Sequence, residues 1–295
     1  MTLRQKSYAV LIVLFSASVA YAAQKALKID VDLVMVNVAV RDADNRPVTS
    51  LKAEDFQLFE DRIEQKIRYF SSEVTPVSLG LVFDMSRSME KKLAFARDAA
   101  LKFLDTGTPD DEYFLVEFSS RAHLAEGFTS DISRLRDKLT LVPAQGNTAL
   151  YDAVYLGLAQ LKSGQNPKKA LLLITDGEDN HSRYSRRDIR EFVREADAQI
   201  YVIDMGRALV GELADMTGGH SYHASVNNLE ETCERIALEL KSQYVIGYES
   251  TNTSKDGKFR KLRVKVNPPT GLSKLSTRAR DGYYAPTLRS LSVND

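Results

Sequence analysis

Apolar positions recur along this chain with two different periods. Val34, Val36, Val38 and Val40 alternate with Met35, Asn37, Ala39 and Arg41, the two-residue repeat of a strand with one face inward. Asp42-Ala43-Asp44-Asn45-Arg46-Pro47 then reads as a turn. Residues 56–59 and 63–70 predict two further strands around Glu60-Asp61-Arg62, and residues 50–55 have room for one short helical turn. From residue 77 to about 241 the pattern changes. Continuous apolar runs at 77–83, 170–175 and 200–204, with further strands at 113–118, 122–128 and 220–223, alternate with stripes of helical spacing. Those stripes are Leu93/Ala96/Ala100/Phe103, Ile132/Leu135/Leu139, Leu150/Val154/Leu158/Leu161 and Ile189/Phe192/Val193, with two more helices near 209–216 and 229–241. Wholly apolar strands between amphipathic helices predict an α/β fold, a doubly wound and mostly parallel sheet covered on both faces.

After residue 241 the two-residue period returns. Residues 244–248 form a strand, Leu262, Val264 and Val266 alternate with Arg263, Lys265 and Asn267, Asn267-Pro268-Pro269 breaks the run, and residues 272–280 give a final strand. Neither β stretch has enough strands to stand alone. The prediction is one small β-sandwich shared by the two flanks, residues 28–72 and 243–286, and interrupted by an α/β domain over 77–241.

Open parallel sheets take their ligands at the carboxyl ends of the strands. Asp84-Met85-Ser86-Arg87-Ser88 follows the run 77–83, and Asp176-Gly177-Glu178-Asp179 follows 170–175. Between them, Gly146-Asn147-Thr148 opens a helix, and Ser88 is placed to cap another. Two carboxylates and three hydroxyls are hard oxygen donors, suited to Mg²⁺, with Mn²⁺ or Ca²⁺ as substitutes. Two charged carboxylates with neutral hydroxyls do not fill the shell of such a cation, so a coordination position stays open for water or an incoming carboxylate.

The runs Leu81-Val82-Phe83-Asp84-Met85-Ser86-Arg87-Ser88-Met89, Gly146-Asn147-Thr148-Ala149-Leu150-Tyr151-Asp152-Ala153 and Ile174-Thr175-Asp176-Gly177 resemble a von Willebrand factor A domain. The three loops resemble the metal-ion-dependent adhesion site of that family. The resemblance implies Asp84, Ser86, Ser88, Thr148 and Asp176 as the metal set, some bound directly and others through water. It also implies a doubly wound sheet. The flanks, with Asp55-Phe56-Gln57-Leu58-Phe59-Glu60-Asp61, Tyr244-Val245-Ile246-Gly247-Tyr248 and Arg280-Asp281-Gly282-Tyr283-Tyr284-Ala285-Pro286, resemble exported proteins related to this domain and abundant in acidobacteria. Many family members have glycine where this chain has Arg87. A guanidinium there lowers cation affinity by repulsion, and it either points into solvent or helps hold an anionic ligand. Asn147, Glu178 and His181 join Arg87 as candidate residues of a ligand rim.

Composition narrows the setting. The chain has 295 residues, with 40 basic and 40 acidic side chains. That balance gives no basic surplus for nucleic acid. Arg4 and Lys6, the apolar run 8–15 and Ala20-Tyr21-Ala22 follow the order of a secretory signal peptide over residues 1–22; the other reading is an uncleaved anchor. Removal of that segment leaves 38 basic and 40 acidic residues and no further stretch apolar enough to span a bilayer. The expected location is outside the cytoplasm: periplasm, cell envelope or extracellular space. Cys233, the one cysteine, shares an apolar helical stripe with Leu229, Ile236 and Leu240, as a buried structural thiol does. His220 and His223 point to opposite faces of a strand, which argues against a zinc site.

No nucleophile or nucleotide motif of the G-x-S-x-G, H-E-x-x-H or G-x-x-x-x-G-K-[ST] kind occurs. The expected function is a metal-dependent protein-binding or adhesion module, not an enzyme, whose cation takes an Asp or Glu from a protein partner. Two alternatives stand beside it. One is a Mg²⁺- or Mn²⁺-dependent hydrolase of the phosphatase kind with Glu178 or Asp179 as base, and the other is a β-sandwich scaffold with a purely structural metal.

Overall fold

The computed structural model describes residues 33–140, 143–206, 210–271 and 274–287. The expected signal segment, 1–22, and the first residues of the N-terminal flank, 28–32, lie outside them. The chain opens with β1 (Leu33–Arg41), β2 (Phe56–Glu60), β3 (Ile63–Gln65) and β4 (Ile67–Ser71). The single strand expected over 63–70 is two strands in two sheets. β3 pairs antiparallel with β2, and β4 pairs with a strand nearly two hundred residues on, β11 (Tyr244–Glu249). The switch is anchored by Gln65, whose side chain is buried and exchanges hydrogen bonds of 2.9 and 3.0 Å with Thr251, just past β11.

The middle of the chain supplies β5 (Val77–Asp84), β6 (Glu112–Phe118), β7 (Ala122–Thr129), β8 (Lys168–Thr175), β9 (Gln199–Asp204) and β10 (His220–His223). They form one six-stranded sheet in the order β10-β9-β8-β5-β6-β7. β7 runs antiparallel to β6, and the other pairings are parallel. β5 is buried at all eight positions, as a strand covered on both faces must be. Leu79, Leu81 and Phe83 face α1 (Leu93–Asp105), α2 (Ile132–Thr140) and α6 (Leu229–Lys241). Val82, with Phe114 and Val116, faces α3 (Leu150–Leu161), α4 (Arg186–Glu195) and α5 (Gly211–Thr217). The doubly wound expectation therefore holds, with α5 the described part of the helix expected over 209–216.

After α6 come β11, β12 (Phe259–Val266), β13 (Ser276–Arg278) and β14 (Gly282–Tyr284). The strand expected over 272–280 is strand only at β13, and a further short strand, β14, pairs with β12; residues 272–273 lie outside the description. Both flanks enter both remaining sheets, ordered β13-β1-β11-β4 and β14-β12-β2-β3. Their inward residues, among them Val36, Val38, Leu58, Tyr244, Ile246 and Val264, share one core. Arg263 and Lys265 are exposed on the outer face, as their alternation predicts. Among the described residues no helix is long and apolar enough to cross a membrane.

Buried charge ties the sandwich to the central sheet. Arg41, placed by alternation on the outward side of β1, is 2% exposed. Its guanidinium pairs with Glu239 of α6 and meets the Tyr222 hydroxyl. Tyr222 donates to Glu239 Oε2 at 2.9 Å, Tyr201 to Oε1 at 3.3 Å, and Gln243 to the Tyr201 oxygen at 2.9 Å. Cys233 is fully buried on the same helix, and burial pushes its thiol up to about 12. His220 is half-buried; desolvation and the nearby Arg278 and Arg41 bring its pKa down to about 4, while His223 stands exposed.

Glu239→Ala leaves Arg41 buried and uncompensated, which costs about 3–5 kcal/mol; adding Arg41→Met should return much of that loss in urea unfolding. Lys168 is buried, donates to the Leu240 carbonyl at 2.9 Å, and has its pKa pushed down by burial to about 8. Between that value and the unfolded value near 10.4, the unfolded chain holds a proton that the folded lysine has shed. Stability from this group therefore rises with pH, and Lys168→Met should flatten that rise in a pH series of urea midpoints.

Candidate metal centre

β5 and β8 end side by side, and the loops that follow them meet. Asp84 is the last residue of β5 and is fully buried. Its Oδ1 accepts the Ser86 backbone N–H at 2.8 Å, and its Oδ2 accepts the Thr175 hydroxyl at 2.5 Å. Ser86 is 1% exposed. Its Oγ lies 3.0 Å from Ser88 Oγ, and Ser88 donates to Asp176 Oδ1 at 2.7 Å. Ser88 therefore points into the loop cluster and does not cap α1, as the sequence suggested. The residue before α1 is Lys92, with no side-chain cap, and a 3-10 turn over Arg87–Met89 stands between.

Thr148 arrives from the loop before α3. Its N–H donates to Asn180 Oδ1 at 2.9 Å, and its carbonyl accepts the N–H groups of Asn180 and His181 at 3.0 and 3.2 Å. A Cβ built on Gly177 would stand 3.5 Å from Thr148 Oγ1 and 3.7 Å from Ser88 Oγ. Both hydroxyls thus face the same glycine, and all five residues of the proposed metal set gather at one place. The loops are locked by backbone bonds as well: Gln145 N–H to the Met85 carbonyl at 2.8 Å and Arg87 N–H to the Gly146 carbonyl at 3.2 Å. Gly146 takes φ +80, which favours glycine.

Burial raises the Asp84 pKa above the usual carboxylate range, opposed by the Thr175 and Ser86 hydrogen bonds and assisted by the negative charge of Asp176. Two carboxylates held together away from water are a demand for positive charge. The donors around them are hydroxyl and carboxylate oxygens, which fit a hard divalent cation. Among the described residues no group of three His, Cys, Asp or Glu side chains offers a metal site of another kind.

The rim candidates separate. Asn147 and His181 are exposed and adjacent, Nδ2 to Nδ1 at 3.4 Å. Arg87 and Glu178 are both exposed. Asp179 turns inward instead, accepting the Tyr151 N–H at 3.3 Å and the Ser182 hydroxyl at the start of α3.

Sequence reading missed three participants. Thr175 fixes Asp84 from the neighbouring strand. Lys92 donates to Asp176 Oδ2 at 2.7 Å and to the Met205 carbonyl at 2.9 Å. Gly206 follows β9, and a Cβ there would stand 2.0 Å from the Asp176 carbonyl oxygen, so only glycine lets the two loops touch. The signal for Lys92 was its place four residues after Ser88. The signal for Gly206 was its place just after the third apolar run.

A family model described as the von Willebrand factor type A domain matches residues 79–178. Inter-alpha-trypsin inhibitor heavy chain H4 of Homo sapiens is 26% identical over 212 residues, which cover 62% of this chain and 23% of that protein. The chain spans less than a quarter of the length of the curated relatives it matches. Among solved structures, a von Willebrand factor type A protein from Catenulispora acidiphila superimposes with a TM-score of 0.51 at 13% identity, over 77% of this chain and 73% of that one. Proximal thread matrix protein 1 from the mussel byssus, with a zinc-occupied MIDAS motif, gives 0.50 at 18% identity, over 61% and 49%. At these identities the structural likeness concerns the fold. Over residues 79–178 the chain is thus similar to the von Willebrand factor type A domain.

Proposed function

We propose that the loop cluster holds a divalent cation, Mg²⁺ or its substitutes Mn²⁺ and Ca²⁺, and uses it to bind an acidic side chain of a protein partner outside the cytoplasm. The observation that carries this reading is the unbroken run of hydrogen bonds from Thr175 through Asp84, Ser86 and Ser88 to Asp176. Such a run fixes oxygen donors before any cation arrives, so little ordering cost remains for binding. The hydroxyls of Ser86, Ser88 and Thr148 would supply neutral oxygens, and Asp84 and Asp176 the charge. The bound cation would supply a concentrated positive charge to an incoming carboxylate.

The chain's own residues do the rest. Thr175 and the Ser86 N–H hold both oxygens of Asp84, and Gly206 lets the β9 loop press on the Asp176 backbone. Ser88 lies on the exposed side of the cluster, where a partner has access. Arg87, Asn147, Glu178 and His181, all exposed on the same loops, would form the ligand rim. The zinc-occupied motif of the mussel protein supports a metal at a site of this kind. Hydrolysis would need a free base beside the cation, and the hydrogen bonds of Asp179 direct that carboxylate to the start of α3.

Calorimetric titration with Mg²⁺ and Mn²⁺ tests the site. Asp84→Ala is expected to abolish binding, and Gly206→Ala to weaken it at least tenfold by displacing Asp176, with both variants retaining the far-ultraviolet circular dichroism of the parent. Cation binding that survives Asp84→Ala would refute the assignment. Partner capture from an envelope extract should need Mg²⁺ and be lost in EDTA; capture indifferent to EDTA would leave the flanking sandwich as the binding element.

A further inference from the structure

Among the described residues, Lys92 is the cation paired with the buried carboxylates of the site. Its ammonium bonds Asp176 Oδ2 at 2.7 Å and the Met205 carbonyl at 2.9 Å. The Asp176 side chain is 3% exposed and that of Lys92 31%, so the pair is shielded on the carboxylate side and open to water on the other. The other Asp176 oxygen accepts from Ser88. Lys92 thus does two things at once. It bridges the β8 and β9 loops, and it places a positive charge beside the cluster proposed to take a divalent cation.

The charge count gives the consequence. Asp84 and Asp176 bring two formal negative charges, and Lys92 returns one formal positive charge. The cluster with its lysine is singly negative before a divalent cation enters and singly positive afterwards. Without the lysine it would be doubly negative before and neutral afterwards. We propose that Lys92 is a resident counter-cation of this site: it stabilises the metal-free loops, weakens cation binding, and leaves the loaded site with a net positive charge that attracts an anionic ligand. This rests on the metal reading above and adds the regulation of metal affinity to it.

The geometry favours this role over surface decoration. An exposed lysine–carboxylate pair contributes little, but here the carboxylate is buried, near a second buried carboxylate, and already shared with a serine hydroxyl. A positive charge at such a place opposes any further cation nearby. Its second bond, to the Met205 carbonyl, holds the ammonium in place and gives it a partner that a metal would not displace.

The test compares the parent with Lys92→Met, Lys92→Gln and Lys92→Arg, using Mn²⁺ alone as the probe. Affinity is read by calorimetry, and thermal midpoints are read in EDTA and in excess Mn²⁺. Lys92→Met and Lys92→Gln are expected to bind Mn²⁺ roughly five- to tenfold more tightly. They should also melt lower in EDTA and regain more than the parent does on adding Mn²⁺. Lys92→Arg, which keeps the charge, should stay near the parent on both measures. Equal or weaker Mn²⁺ binding by folded Lys92→Met and Lys92→Gln, with the parent still binding, overturns the counter-cation role and leaves the metal reading intact. No Mn²⁺ binding by any of the four proteins overturns both.

Discussion

β5 and β8 run parallel and in register, Phe83 opposite Ile174, and that pairing decides where the polar groups beyond them can stand. Both strands are apolar and almost wholly buried, so the first polar residues past each run emerge together at one edge of the sheet. Asp84 and Thr175 become neighbours there, and the Thr175 hydroxyl closes on the carboxylate at 2.5 Å. Asp176 follows one residue later, and its own burial puts a second carboxylate beside the first. The apolar sheet thereby creates an electrostatic debt at its carboxyl end, which hydrogen bonds reduce and which positive charge must settle. Lys92 supplies part of that charge from within the chain.

The same rule governs the join between the sandwich and the sheet. Arg41 and Glu239 are nearly without solvent, and each is tolerable only because the other is there, with Tyr222 and Tyr201 accounting for further lone pairs and protons. Within the sandwich, Glu60 is buried and accepts from Tyr248 at 2.6 Å, Tyr283 at 2.8 Å and Ser250 at 2.6 Å, with Arg260 alongside. Tyr248 and Tyr283 come from the far end of the chain, β11 and β14, and Glu60 from β2. These contacts bind the two flanks into one core although the α/β layer separates them in sequence.

Much of this was legible without coordinates, for a physical reason. Fully buried parallel strands must be continuously apolar, and residues just past them reach the ligand-binding edge, so Asp84 and Asp176 stood out. Gly146-Asn147-Thr148 was legible as a loop opening a helix, and the loop resemblance carried Thr148 into the set. What escaped depended on contacts between distant segments. Alternation placed Arg41 outward with Met35 and Asn37, yet Glu239 and Tyr222 cover it, and a two-residue period says nothing about what lies above a sheet. Residues 63–70 read as one strand because no Gly or Pro marks a break there, yet the chain passes from one sheet to another at Lys66. Ser88 looked like a helix cap because Ser before a helical stripe often is one; its hydroxyl donates to the buried Asp176 carboxylate instead. Lys92 was hidden for the same reason, since its partner lies 84 residues away.

The oxygen donors at the ends of β5 and β8 are proposed to hold one divalent cation. Anomalous diffraction from crystals soaked in Mn²⁺ locates such an ion directly. One strong peak is expected at about 2.1–2.2 Å from the hydroxyl oxygens of Ser86 and Ser88, with Thr148 or water completing the shell and Asp84 and Asp176 in contact or one water away. A fully soaked crystal whose only peak lies elsewhere, or which shows none, would contradict it.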